Sequence, residues 1–178
     1  MLKIAEVRGR YILMVDRLLN EFNPEIAEEA RKEMDVDIKE MTEEGWYSNT
    51  NLRKYLFKVN EGAQRVLGKK MVYAAGEAFD ELVEMFESPV ELIKFTVEND
   101  PKEDFRKENW YKTRVLDSGE DFIKMKMDTD GIPVFYEGVY QGMLEKYRII
   151  KTNIKTVTEQ IDGLEISILD IKWQKNAY

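Results

Sequence analysis

The sequence predicts an α+β fold: a helical N-terminal half packed on a four-stranded antiparallel sheet made of two hairpins joined by a long helix. Three observations predict it. Apolar side chains recur at steps of three and four through the first half. From residue 110 the period drops to two, as a strand requires. Between two such alternating stretches lies one long amphipathic segment, residues 131–150. No repeat, linker or low-complexity tract divides the chain, so a single domain over residues 1–178 is expected.

Residues 4–22 carry Tyr11, Met14, Val15, Leu18, Leu19 and Phe22 at helical spacing, with Gly9 near the helix start. Asn23-Pro24 opens a second, short helix, asparagine as cap and proline in the first turn. That helix buries Ile26, Ala27, Ala30 and Met34 and leaves its charged face to water. Residues 35–49 anchor a short helix or turn through Val36, Ile38 and Met41, closed by Gly45-Trp46-Tyr47 with the tryptophan as a packing plug. A third helix is expected over residues 50–67, stopped by Gly68, with Lys69 and Lys70 in the turn where the helix dipole favours cations. Residues 71–86 predict a fourth, whose Ala74-Ala75-Gly76 run permits a close crossing with another helix. Ser88-Pro89 begins a segment that is helical by the spacing of Val90, Ile93 and Val97 but strand-like in its β-branched content.

In the second half, residues 110–116 and 122–127 flank the turn-rich DSGED and predict a hairpin, with Ile123, Met125 and Met127 on one side. The helix of residues 131–150 carries one stripe at Phe135, Val139 and Met143 and another at Tyr136, Tyr140, Leu144 and Tyr147. Gly138 and Gly142 lie between the stripes. Interior glycine costs about 1 kcal/mol against alanine. The pair therefore points to close packing against another element, to a dimer contact through the same face, or to ligand access. Asp162-Gly163 predicts the two-residue turn of the last hairpin. The mixed phase of its second arm predicts a bulge near Ile168.

With 27 basic and 35 acidic residues the net charge is -8, a surface that repels nucleic acid and anionic lipid. Neither is an expected partner. No apolar run approaches the length of about 18 residues that spans a membrane, and the N-terminus lacks a signal-peptide pattern, so a cytoplasmic location is expected. The chain has no cysteine and no histidine. That excludes disulfides, thiolate nucleophiles, cysteine-held metals and imidazole catalysis. Carboxylate, lysine, tyrosine, hydroxyl or hard-metal chemistry is left. The acidic groups Asp117, Glu120, Asp121 and Asp128, Asp130 lack the spacing of a calcium loop and read as solvated turns, so neither metal nor cofactor is expected.

The order of features resembles a known superfamily over roughly residues 7–173. The likeness is carried by VRGRY entering the first helix, the aromatic turn Gly45-Trp46-Tyr47, LGKK followed by YAAGEAFDEL, a hairpin, the GVYQGML helix and a last strand ending IKW. This arrangement is similar to the haem–nitric-oxide-binding domains, the 4-vinyl-reductase-type sensor domains of bacterial regulators and the Golgi-transport tethering subunits. The resemblance implies a small-molecule pocket between the helical face and a curved sheet, used by different members for haem, aromatic effectors or a fatty-acyl chain. It also implies that haem is not the ligand here. The proximal histidine of the haem binders follows the helix near residues 95–105, and this chain has none. Their Tyr-x-Ser-x-Arg signature meets Lys126-Met127-Asp128-Thr129-Asp130, with carboxylates where arginine is needed, and Tyr111-Lys112-Thr113-Arg114 falls a strand too early.

Candidate pocket residues are Tyr73, Phe79, Trp110, Met125, Met127, Phe135, Tyr136, Tyr140 and Tyr147, since tyrosine and methionine on concave apolar surfaces hold aromatic or acyl ligands well. The same stripes also read as ordinary core. The expected function is a non-catalytic small-molecule-binding or sensory domain for an apolar or aromatic ligand. The alternative is a structural or assembly protein with a filled core, acting through a helical homodimer or a partner protein.

Overall fold

A computed structural model describes residues 5–98, 105–106 and 112–174. The expected strand residue Trp110 lies outside these.

The chain enters through β1 (Glu6–Arg8), α1 (Gly9–Phe22) and α2 (Pro24–Lys32). A single 3-10 turn, Ile38–Glu40, leads to β2 (Trp46–Ser48). The aromatic stretch expected to close a turn is therefore a strand. It pairs antiparallel with β1, which pairs on its other side with β3 (Phe105–Arg106). Strands of two or three residues are too short to display alternation, which is why this small sheet left no mark in the periodicity.

Helix α3 (Asn49–Phe57) is capped by Ser48, and α4 (Glu61–Ala74) by Asn60, whose side chain accepts from Ala63 N at 2.9 Å. The break expected at Gly68 thus falls at Asn60. Gly68, Lys69 and Lys70 lie inside α4. The helix stops instead near Gly76, whose φ of 65° suits glycine and which opens α5 (Glu77–Glu84). The ambiguous segment is a helix, α6 (Pro89–Glu98).

The second half is a four-stranded antiparallel sheet with strand order β4-β5-β7-β6. One hairpin joins β4 (Arg114–Ser118) to β5 (Phe122–Asp128), another joins β6 (Thr152–Ile161) to β7 (Leu164–Trp173), and α7 (Pro133–Lys146) links them. Asp162 and Gly163 have φ of 51° and 80°, the left-handed pair of a type I′ turn. No bulge interrupts β7 at Ile168; its pairing with β5 and β6 is continuous, and the register shift lies in β4 between Val115 and Asp117. The double phase has another cause. Ile166 and Ser167 are consecutive and both fully buried, so the start of β7 is covered on both faces before Leu169, Ile171 and Trp173 settle into alternation.

Two apolar cores result. The first gathers α1, α2, α3 and the adjoining side of α4, with Ile132 and Phe135. The second lies between α6, α7 and the sheet, with Ile123, Met125, Leu169 and Ile171 at its centre. Tyr136 and Val139 of α7 pack against both, making α7 the wall the two cores share. A polar clasp fixes the first lobe: Arg31 donates to both oxygens of Asp16 at 2.6 and 3.0 Å, and the Tyr55 hydroxyl donates to the same carboxylate at 2.7 Å. Among the described residues no helix is long and apolar enough to cross a membrane.

Candidate functional site: the α4–α7 seam and the cleft beside it

Helices α4 and α7 meet backbone to backbone. A Cβ built on Gly138 would lie 2.0 Å from the Arg65 carbonyl oxygen, and one on Gly68 would lie 2.0 Å from that of Phe135. On Gly142 it would stand 2.8 Å from Lys69 O. Real side chains do not approach so closely, so three glycines on two helices create this contact. Charge reinforces its flanks. Glu137, nearly buried, takes Arg65 of α4 on one oxygen at 2.6 Å and the Thr156 hydroxyl of β6 on the other at 2.7 Å. One carboxylate thereby ties α4, α7 and the sheet together. One helical repeat on, Lys69 pairs with Glu145 at 2.6 Å.

The structure disperses the residues expected to line a pocket. Phe135, Tyr140, Met125 and Met127 are buried in the two cores, and the Tyr140 hydroxyl points at Met127 Sδ, 3.8 Å away. Tyr136 packs against both cores. Burial raises the pKa of both hydroxyls; for Tyr136 the carboxylates of Asp130 and Asp128 and the nearby hydroxyls of Tyr140 and Tyr11 add to it. Tyr73 is instead 43% exposed, its hydroxyl on Glu145 at 2.9 Å. Phe79 sits half-buried on the second core, and Tyr147 donates to the carbonyls of Val83 and Phe86 at 3.1 and 3.2 Å, tying α5 to the end of α7. Trp110 lies outside the described residues. The turn after β5 is also not the solvated one expected: Asp128 is buried, with Oδ1 accepting from Asp130 N at 3.0 Å.

A cleft of about 590 Å³ lies beside the seam, and sequence reading did not single it out. Its walls are Arg10, Tyr11, Leu13, Met14 and Arg17 of α1, with Glu43 at one end and Ala74, Ala75 and Ala78 from the α4–α5 junction. The volume falls within the range of about 300–1,000 Å³ usual for small-molecule sites. Steps of three and four put Arg10, Leu13, Met14 and Arg17 on one strip of α1. The signal was available in that spacing, but the strip adjoins the apolar one and reads as helix surface. The alanine run expected to permit a close helix crossing forms the floor of this opening instead. Tyr11 joins cleft to interior, since it packs on the first core near Tyr136. Two further hollows, of about 500 and 300 Å³, flank Trp173 and Gln174 at the end of the sheet, and both are open.

Known structures share this architecture. The sequence matches no family model and no curated protein. The fold does match H-NOX proteins along nearly its whole length. The Fe(II) unliganded H-NOX protein from K. algicida is 14% identical, with a TM-score of 0.70 over 96% of this chain and 98% of that one. A point mutant of the T. tengcongensis H-NOX is 14% identical, with a TM-score of 0.69 over 96% and 100%. A structure addressing haem distortion in the H-NOX family gives 13%, 0.69, 96% and 97%. At such identities the likeness is one of fold. The molecule thus has the fold of the H-NOX proteins. It has no histidine or cysteine to ligate iron, and among the described residues no three His, Cys, Asp or Glu side chains converge as a metal site.

Proposed function

We propose that this chain is a non-catalytic, cytoplasmic ligand-binding or sensory domain for an apolar or aromatic small molecule. The observation that carries the reading is the cleft between α1 and the α4–α5 junction, set against the helix that both cores share. A ligand there contacts α1 and Tyr11 on one side and α5 on the other. Occupancy would shift α5 relative to α7, to which it is held by Tyr147 and by the Lys146–Asp80 pair. That coupling gives a route from binding to a helical surface. Native mass spectrometry of the protein incubated with extract of its own cells tests the reading. A bound small molecule of defined mass is expected, displaced when the cleft is filled by substitution; bare protein throughout would sink it.

The filled seam favours a second reading. Buried Phe135 and Tyr140, with Tyr136 partly buried between the two cores, are what a structural or assembly protein needs, one that acts as a homodimer or with a partner protein through its helical face. Light scattering separates the two: a dimer indifferent to any ligand supports assembly, and a ligand-dependent change in mass or shape supports sensing.

A further inference from the structure

The charges around the cleft are unequal in their freedom. Arg10 is engaged with Glu44 at 3.6 Å, and its backbone N–H donates to Glu43 O at 3.0 Å, which holds the acidic lining residue at that end. Arg17, two turns along α1, is exposed and makes no ion pair or hydrogen bond among the described residues. Between the arginines the wall is Leu13 and Met14, and the floor is three alanines. A cation thus stands at one end of a trough whose middle is apolar, on a protein whose net charge is -8.

We propose that this cleft binds an amphipathic organic anion, its acidic group on Arg17 and its apolar body over Met14, Ala74, Ala75 and Ala78. The inference rests on the reading of the cleft as the ligand site and adds the chemical class of the ligand. Physical chemistry supports it on two counts. Guanidinium is weakly hydrated and offers a planar fork to a carboxylate or sulfonate, which makes it the side chain suited to anchoring such a group. Methionine adapts to flat or linear apolar bodies alike. The overall negative charge makes the site selective, because simple anions are repelled by the rest of the surface and only those with apolar area to bury gain enough to stay.

Two fluorescent probes of similar shape test it: 1-anilinonaphthalene-8-sulfonate, which is anionic, and N-phenyl-1-naphthylamine, which is neutral. The expected result is saturable binding of the sulfonate at one per chain, with the naphthylamine about tenfold weaker or worse. Arg17→Ala weakens the sulfonate by about tenfold and leaves the naphthylamine unchanged, and Arg17→Lys restores part of the loss. Ala78→Trp, at an exposed position of α5, removes both, with circular dichroism confirming the fold. Equal affinity for the two probes, with both blocked by Ala78→Trp, overturns the anionic ligand while keeping the cleft as a ligand site. No saturable binding, or binding that Ala78→Trp leaves untouched, overturns both.

Discussion

Small residues do opposite work in two adjoining regions. Along the α4–α7 seam, Gly68, Gly138 and Gly142 let carbonyl groups occupy the space where side chains would begin. At the α4–α5 junction, Ala74, Ala75 and Ala78 face α1 across an open cleft. The difference lies in what stands opposite. At the seam each glycine meets backbone, which cannot retreat. At the junction the opposing strip carries arginine, methionine and tyrosine, and the space between stays open. Small residues therefore mark proximity only when the partner surface is short as well.

Substitutions at the seam should have the largest effects. Gly138→Ala and Gly68→Ala each drive a methyl against a carbonyl at 2.0 Å, and overpacking against rigid backbone should cost about 3 kcal/mol. The expected sign is telling, because alanine gains about 1 kcal/mol over glycine in an unobstructed helix. Gly142→Ala should cost less, about 1 kcal/mol, since its nearest backbone atom is 2.8 Å away and the rest is the Val72 side chain. Urea unfolding of the three variants measures this order; a stabilised Gly138→Ala would mean the seam is loose and the contrast with the cleft false.

Removing Glu137 tests the seam's polar flank. Glu137→Ala leaves Arg65 and Thr156 without their shared carboxylate, and a loss of about 2 kcal/mol is expected. The figure sits below that for a fully buried pair because the Arg65 side chain is 40% exposed and recovers solvation. Adding Arg65→Ala should cost little more, and a double-mutant cycle showing additive losses would remove the pair from the account.

Much of the architecture was legible in the sequence, and the exceptions share a physical origin. The period change at the first hairpin, the Asp162-Gly163 turn and the helix between the hairpins all follow from local chemistry, so the sheet and α7 could be read directly. Gly68 was misread as a helix stop because a glycine needed for φ > 0 and one needed for close approach look alike in one dimension. The partner that distinguishes them, Phe135, is 67 residues away. The same limit applies to the site. The tyrosines and methionines of α7 and β5 read as inward stripes, but whether such a stripe faces a void or a neighbour is decided by non-local packing. The cleft escaped notice for the converse reason: a third of its lining is charged, and charged strips of helix are normally solvent-facing.

Alkaline titration probes how dry the shared wall is. The hydroxyls of Tyr136, Tyr140 and Tyr55 have pKa values raised above the usual 10.0, chiefly by burial. Below pH 10 each is neutral whether folded or not, and stability is unaffected. Above it the unfolded chain releases protons that the folded protein keeps, so stability falls as pH rises, by up to about 1.4 kcal/mol per unit for each group. Tyr140→Phe should flatten the decline above pH 10 in urea titrations while costing little at neutral pH, where its hydroxyl makes only a 3.8 Å contact with Met127 Sδ. An unchanged slope would mean that water reaches the interior beside α7, as it reaches the cleft.

The smallest expected effect is the sharpest test of the comparison. Ala78→Leu enlarges a side chain at an exposed position of α5 that lines the cleft. Leucine and alanine are both good helix formers, and surface substitutions usually stay within about 0.5 kcal/mol, so the unfolding midpoint should hardly move. The added atoms should nevertheless occupy part of the cleft and lower the fluorescence yield of bound 1-anilinonaphthalene-8-sulfonate. Silence in stability with a loss of binding is the signature of a void. The same added bulk at Gly138, where the space is already taken, must register in stability. Should Ala78→Leu destabilise by more than about 1 kcal/mol, α5 would be pressed against α1 as tightly as α7 is against α4, and the cleft would have to be understood as a second seam.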